Sequence, residues 1–493
     1  MHKDYRKIAN SLKFEGRAFI EGKYVEAIDG EKFENINPAT GEILCLVAKC
    51  NHKDVDLAVK ASRKAFNSGI WSRTSPEFRK DILLKFAELL RQTGEENSVL
   101  ECLDTGKLIG DCINEVANDA PMHFQWYGEL IDKVFGKVGP TEPSLTSLIV
   151  KEPIGVVAGV VPWNFPLMMA VWKMAPALAA GCSVIIKPAE DTPLTAIRVA
   201  EIAKEAGIPD GVLNIIPGFG DVGEALGRHQ DVDTVSFTGS TEVGGLFMKY
   251  SGESNLKTIG LEMGGKSPFI VLEDAKITDD LIDNAINSAY WNGGQNCSAN
   301  MRQIIHSKVK DEFIDKVSKK VKALKVGDPL DLSSNMGSMI SKKHLIIVNS
   351  FIQKGIDEGA KLLLGGVSDE NQKGFFAKPT LFDDLKENMT IAQEEIFGPV
   401  LGVLTINSDE EALKIASNSK YGLHASVFTQ DIDRAFHMAK SLPCGTVSVN
   451  TFSEGDIKTP FGGYKQSGSL SRDQGTEALD QYLQTKTIWI SHS

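Results

Sequence analysis

Three side chains in this sequence have the types and settings that bond-making chemistry requires. Cys297 lies in Gly293-Gly294-Gln295-Asn296-Cys297-Ser298, a small, polar segment. A cysteine that only fills core is normally framed by apolar residues. This thiol can be reached, and its thiolate would be a good nucleophile. Glu262 closes an apolar run in Leu261-Glu262-Met263-Gly264-Gly265-Lys266. Its carboxylate either pairs with Lys266 or acts as a general base that deprotonates a water. Asn164 stands between two prolines in Pro162-Trp163-Asn164-Phe165-Pro166, at the start of an apolar helical stretch. It either caps that helix or aims its amide at a developing oxyanion, a contact worth about 10²–10³ in rate.

A second set of segments suits a nucleotide. Lys187-Pro188-Ala189-Glu190 follows a short apolar strand, where an open α/β sheet binds its nucleotide. Glu190 can accept both hydroxyls of an adenine ribose and Lys187 can bond the same sugar; the alternative is two solvated charges. Gly218-Phe219-Gly220-Asp221-Val222-Gly223 has the Gly-x-Gly-x-x-Gly spacing but lacks a well-placed acid about 20 residues on. Phe237-Thr238-Gly239-Ser240-Thr241-Glu242-Val243-Gly244 is the better phosphate site. There a strand ends, a glycine admits close approach and Ser240 opens a helix, whose free N–H groups and dipole favour an anion. In Glu394-Glu395-Ile396-Phe397-Gly398-Pro399, Glu395 is read as a ribose contact with Phe397 beside it, or as one of two solvated acids.

The elements around these segments alternate between strand and helix. Between Leu148 and Leu261 the pattern predicts strands at 154–161, 183–186, 212–216 and 234–237, and helices at 166–180, 192–206, 221–227 and 240–250. This is a βαβ series and implies a doubly wound parallel sheet. A second series after Lys266 predicts strands at 268–272, 303–306, 400–406, 425–428 and 446–449 with helices between them. Two extended pieces, 131–150 and 480–490, stand apart and are expected to pair as an arm. Open strand edges on such an arm call for a partner chain.

Composition narrows the classes. At 493 residues, 42% hydrophobic and 24% charged, the chain is globular and long enough for two or three domains. A net charge of -12 argues against a nucleic-acid partner. Seven scattered cysteines and nine histidines give neither a disulfide framework nor zinc-ligand spacing, so reduced thiols and no metal are expected. Residues 1–17 have no apolar core of a secretory signal, and no stretch reaches the roughly 18 apolar residues of a membrane span. A cytoplasmic protein that does not engage membrane is the expectation.

Taken in order and spacing, PWNFP, KPAE, FTGS, EMGGK, GQNC, EEIFGP and PFGG resemble the aldehyde dehydrogenase superfamily, from about Phe19 to Ile490. Within it the tail (Glu454-Gly455-Asp456, Pro460 to Gly468, Lys486 to Ser491) is similar to bacterial γ-glutamyl-γ-aminobutyraldehyde dehydrogenases of putrescine breakdown. The resemblance implies an α/β fold with two doubly wound, Rossmann-like domains and a β-strand oligomerisation arm. It assigns 1–130 and 151–265 to NAD binding, 266–466 to catalysis, and 131–150 with 467–493 to the arm and tail. It implies Cys297 as nucleophile, Glu262 as base, Asn164 as oxyanion donor and Lys173 as their support. Trp163, Lys187, Glu190, Gly220, Phe237, Gly239, Ser240, Val243, Glu395 and Phe397 would hold the cofactor. Phe165, Met169, Trp172 and Phe461 would line the aldehyde tunnel, and Asp456, with Glu454 nearby, would attract an amine or amide tail unless the loop is merely solvated.

The implied reaction is NAD(P)-dependent oxidation of an aldehyde to an acid, with an ω-amino or γ-glutamyl-amino aldehyde as substrate; the alternative is a broad-specificity aliphatic enzyme. NAD is preferred and NADP possible, because Glu190 would repel a 2′-phosphate while Lys187 offers compensating charge. A homotetramer or homodimer is expected. The chain departs from the family in three places. Met263 stands where leucine is usual; Cys297 has Asn296 and Ser298 as neighbours, so no adjacent thiol can form a disulfide with it; and Ser469-Leu470-Ser471-Arg472 replaces a glycine-rich run, which puts the local backbone there in question.

Overall fold

A computed structural model describes residues 4–492. Its centre is a pair of seven-stranded sheets. The first runs Thr258–Met263, Thr234–Gly239, Val156–Val160, Ser183–Lys187, Leu213–Ile215, Ala18–Ile20, Lys23–Val25. The first five strands are parallel, and the last two are a hairpin joined antiparallel at Phe19↔Ile215. The second runs Lys361–Leu364, Thr380–Asp383, Val400–Ile406, Arg302–His306, Pro268–Val271, His424–Phe428, Thr446–Val449, all parallel except its first pair. The sequence pattern therefore places most of the parallel strands. It misses the parallel strand at 380–383 and the short antiparallel strands at 18–25 and 361–364, which are too brief or too mixed to show a period.

Chain chemistry explains the helices that matter most. Pro166–Ala180 has its proline in the first turn and Gly181 in the left-handed conformation (φ 98°) at its C-terminus. Every residue of that helix is buried, so it is apolar all round rather than amphipathic. Thr241–Gly252 is capped by Ser240, whose hydroxyl accepts from the Val243 N–H at 3.3 Å.

The arm forms as the sequence suggests. Leu483–Ser491 pairs antiparallel with Leu145–Pro153, from Leu483↔Pro153 to Ser491↔Leu145, and Lys137–Gly139 adds a third strand. Only 483–491 of the expected tail joins it. Residues 467–482 fold back against the first sheet, with Asp473 and Tyr482 buried. Residues 1–3 and 493 of the expected ranges lie outside the described residues. Among the described residues no helix is long and apolar enough to cross a membrane.

Candidate active site

The nucleotide-type segments gather on one edge of the first sheet, because parallel strands all end on the same side. Val156–Val160 leads into Pro162-Trp163-Asn164, Ser183–Lys187 ends at Lys187, and Leu213–Ile215 leads to Gly220. Thr234–Gly239 delivers Gly239 and Ser240, and Thr258–Met263 carries Glu262. Cys297 comes from the other side. It follows the helix Asp279–Tyr290 and a tight turn, Trp291–Gly294, in which Asn292 and Gly293 adopt φ 51° and 62°. A cavity of about 710 Å³ lies between the two groups. Cys297, Asn164 and Glu262 all line it, together with Trp163, Gly239, Ser240, Glu395 and Phe397.

The Asn164 amide donates to the Gln295 carbonyl at 3.0 Å, two residues before the thiol. The helix that follows has no side-chain cap, so the capping role is not the one Asn164 plays. The Asn164 carbonyl accepts in turn from the Asn292 amide at 3.2 Å. These bonds fix the donor beside the cysteine loop. The Cys297 sulfur is partly exposed and faces the Asn296 side-chain oxygen at 3.8 Å. Burial, with Glu454, Glu395 and Glu262 nearby, pushes its thiol well above the ordinary value. A thiol so placed gives up its proton less readily than a free cysteine.

Glu262 is 4% exposed, and neither of its oxygens has a hydrogen-bond partner of normal geometry. The Lys266 ammonium is equally unpartnered, so the two do not pair. Burial, reinforced by Asp473, raises the Glu262 carboxyl well above its usual range, and Lys173 and Arg472 oppose this. A carboxyl so raised and unpartnered is, once ionised, a stronger base than an ordinary glutamate. Its space depends on Gly462, where a Cβ would come within 2.6 Å of the Glu262 Oε1. Lys173 does not line the cavity; it is buried and ion-paired with Asp473 behind Glu262.

Residues 24–488 match the model of the aldehyde dehydrogenase family. The chain belongs to that family. It is 44% identical over 491 residues to the aminoacetaldehyde dehydrogenase of Pseudomonas aeruginosa, covering 99% of this chain and 98% of that one. It is likewise 44% identical to the NADP/NAD-dependent aldehyde dehydrogenase PuuC of Escherichia coli, over 98% and 97% of the two chains. Its fold matches the crystal structure of γ-glutamyl-γ-aminobutyraldehyde dehydrogenase from Burkholderia cenocepacia at 45% identity and a TM-score of 0.97, over 99% of both chains. An indole-3-acetaldehyde dehydrogenase in complex with NAD+ matches at 46% and 0.97, again over 99% of both.

Within this aldehyde dehydrogenase fold the expected cofactor residues fall into two classes. Trp163, Gly239, Ser240, Glu395 and Phe397 face the cavity. Trp163 meets Phe397 edge-on at 5.2 Å. The Glu395 carboxylate accepts from the Gly265 N–H at 3.0 Å, and a Cβ on Gly264 would collide with it. Burial lifts this carboxyl to about 7. Lys187, Glu190, Gly220 and Val243 lie further along the sheet edge, outside the cavity lining. Lys187 is bonded to Glu190 at 3.1 Å, and Gly220 has open space where a Cβ would stand. Phe237 is 4% exposed and packs on Phe247 with ring centres 4.9 Å apart. It forms the floor under Gly239 rather than an open face.

The aldehyde side of the cavity is walled by Phe165, Met169, Trp172 and Phe461, with Trp172 against Phe461 at 5.3 Å. Sequence reasoning missed what stands behind this wall. The buried Lys107 ammonium lies 3.7 Å from the Phe165 ring centre and is ion-paired with Glu115. Glu115, Asp119 and His123 line the cavity at a spacing of four residues. The helical turn Ile113–Asp119 is of the wide π type, a form frequent at functional sites. Asp456 also lines the mouth, but it is exposed and salt-bridged to Lys458 at 3.1 Å. Glu454 turns inward instead, onto Asn296 and Ser298. Among the described residues no group of acidic, cysteine or histidine side chains could hold a metal ion.

Proposed function

We propose that this protein oxidises an aldehyde to a carboxylic acid through a thioester on Cys297. The observation that supports this best is the shared cavity of Cys297, Glu262 and Asn164, with Asn164 bonded to the cysteine loop. The Cys297 thiol gives its proton to the Glu262 carboxylate, which releases it to solvent; the thiolate adds to the carbonyl carbon, and the new C–S bond leaves an oxyanion for the Asn164 amide and the Cys297 N–H to hold. A nicotinamide cofactor held by these residues would supply the acceptor for the hydride lost as the thioester forms. Glu262 then takes a proton from water, the hydroxide equivalent attacks the thioester, and the acid leaves as the C–S bond breaks. Lys173, paired with Asp473, orients the charge behind Glu262.

The cofactor reading fits the residues present. Glycines open the edge at Gly220, Ser240 starts a helix of 12 residues, and Glu395 presents a buried carboxyl to the cavity. Lys187 and Glu190 would hold the adenine ribose, Trp163 and Val243 would flank the pyrophosphate, and Glu395 with Phe397 would hold the nicotinamide ribose. The first sheet with 1–130 and 151–265 is read as the nucleotide-binding unit, the second sheet with 266–466 as the catalytic unit. Exposed Trp489, Ile490 and Val138 on the arm suit a homodimer or homotetramer. All seven cysteines are free, which suits a cytoplasmic setting.

For the substrate we favour an ω-amino or γ-glutamyl-amino aldehyde. Glu115, Asp119, Glu454 and Asp456 line the cavity against a single lysine, Lys458, and relatives are named for such aldehydes. The test is a panel of aldehydes followed by NADH absorbance. Amino aldehydes should exceed propanal in kcat/KM, and the gap should narrow with salt. Equal values would leave the broad-specificity aliphatic reading. Cys297→Ala should abolish turnover while cofactor still binds; retained oxidation would end the thioester proposal.

A further inference from the structure

The inward turn of Glu454 gives it a role that the resemblance does not assign. Its Oε1 accepts a hydrogen bond from the Asn296 Nδ2 at 3.0 Å and a second, shorter one from the Ser298 hydroxyl. These are the two chain neighbours of Cys297. Because the Asn296 NH2 is committed to Glu454, the Asn296 Oδ1 must point the other way. It does, facing the Cys297 sulfur at 3.8 Å and accepting from the Ser298 N–H at 3.3 Å. One carboxylate thus sets the amide oxygen that accepts a weak hydrogen bond from the thiol. Glu454 also belongs to the segment Glu454-Gly455-Asp456-Ile457-Lys458, all of which lines the mouth of the cavity.

We propose that Glu454 is the positioning residue of the nucleophile. It braces both flanks of Cys297, orients the Asn296 oxygen toward the sulfur, and keeps a negative charge facing the thiol until the reaction begins. The consequence is a cysteine held as a thiol in the resting enzyme, and so protected from alkylation and oxidation. The charged groups near the sulfur are Glu454, Glu395 and Glu262. Of these, only Glu454 is hydrogen-bonded to the cysteine's neighbours.

This rests on Cys297 being the reactive thiol, so the experiment avoids turnover. The full-length enzyme is treated with iodoacetamide across pH, and modification of the Cys297 peptide is followed by mass. Glu454→Gln keeps an oxygen that can accept both hydrogen bonds but removes the charge. Its alkylation midpoint should fall by about one pH unit, or about tenfold in rate below the midpoint. A brace that acts only by shape would leave the midpoint in place, and a coincident profile overturns the proposal. If the Gln variant does not fold, Ser298→Ala serves instead: it strips one donor from the carboxylate and should raise the midpoint, and an unmoved midpoint again overturns it. Retained oxidation in Cys297→Ala would sink the nucleophile reading alone and leave the alkylation result standing.

Discussion

Replacing Glu262 with glutamine should damage catalysis and strengthen the fold at once. The carboxyl is buried, without a hydrogen-bond partner of normal geometry, and its pKa is raised above the ordinary 4.5. Between 4.5 and the raised folded value the native state keeps a proton that the unfolded chain has lost. The unfolded state then binds fewer protons, so stability falls as pH rises, by about 1.4 kcal/mol for each unit of elevation. Glutamine does not titrate and escapes this loss. Thermal melts of Glu262→Gln and the parent should therefore agree near pH 4 and diverge toward pH 8, with the variant the more stable. Removing the base should cost about 10²–10⁴ in the rate of thioester hydrolysis, or about 2.7–5.5 kcal/mol. Rapid mixing should show a burst of NADH stoichiometric with Cys297, then slow turnover. The parent's steady-state rate should rise with pH through the raised pKa, and the variant's residual rate should not. An unaltered steady-state rate would remove Glu262 as base. A stability difference equal at both pH values would show that its carboxyl is not held protonated by burial.

Three further outcomes follow from the same geometry. Asn164→Ala should lower kcat/KM by about 10²–10³ with cofactor affinity unchanged; an unchanged kcat would dismiss the amide as oxyanion donor. NAD should exceed NADP in kcat/KM, and Glu190→Gln should narrow the gap; comparable efficiencies in the parent would refute the preference. Lys173→Met strands the buried Asp473 without its partner, at a cost of about 3–5 kcal/mol in a urea melt. Because Lys173 lowers the Glu262 pKa, the pH–rate profile should also move to higher pH, and a profile that stays put would place Lys173 outside the site.

The sequence carried the parts of the fold whose period is strong. Pro166–Ala180, Val400–Ile406 and Thr446–Val449 are observed with the predicted bounds. Short edge strands such as Lys361–Leu364 were not legible, since three leucines between a lysine and two glycines are too short a run to tell a strand from a turn of helix. The central residues Cys297, Glu262 and Asn164 were legible because small or polar neighbours marked them. Partners brought together by folding were not. Glu454 lies 156 residues from Ser298 and Asp473 lies 300 from Lys173. No local pattern distinguishes an acid that turns inward, like Glu454, from one that pairs with its neighbour in solvent, like Asp456.

The departure at Ser469-Leu470-Ser471 acquires a physical meaning from where Glu262 sits. Thr258–Met263 is the edge strand of the first sheet, and an open edge leaves backbone N–H groups without partners. The returning segment closes that edge. The Leu261 N–H donates to the Ser469 and Ser471 hydroxyls at 3.0 and 3.2 Å, the Ser469 N–H donates to the Leu261 carbonyl at 3.1 Å, and Gly468 bridges to Glu262. Leu470, 99% exposed, only carries the chain between the two serines. A glycine-rich run could approach the strand as closely but has no hydroxyl to offer, so the serines supply an acceptor in side chains. The same return path places Asp473 against Lys173 and Arg472 near Glu262. Residues 467–482 thus help build the Glu262 side of the cavity, and the strand Leu483–Ser491 is left to serve the arm.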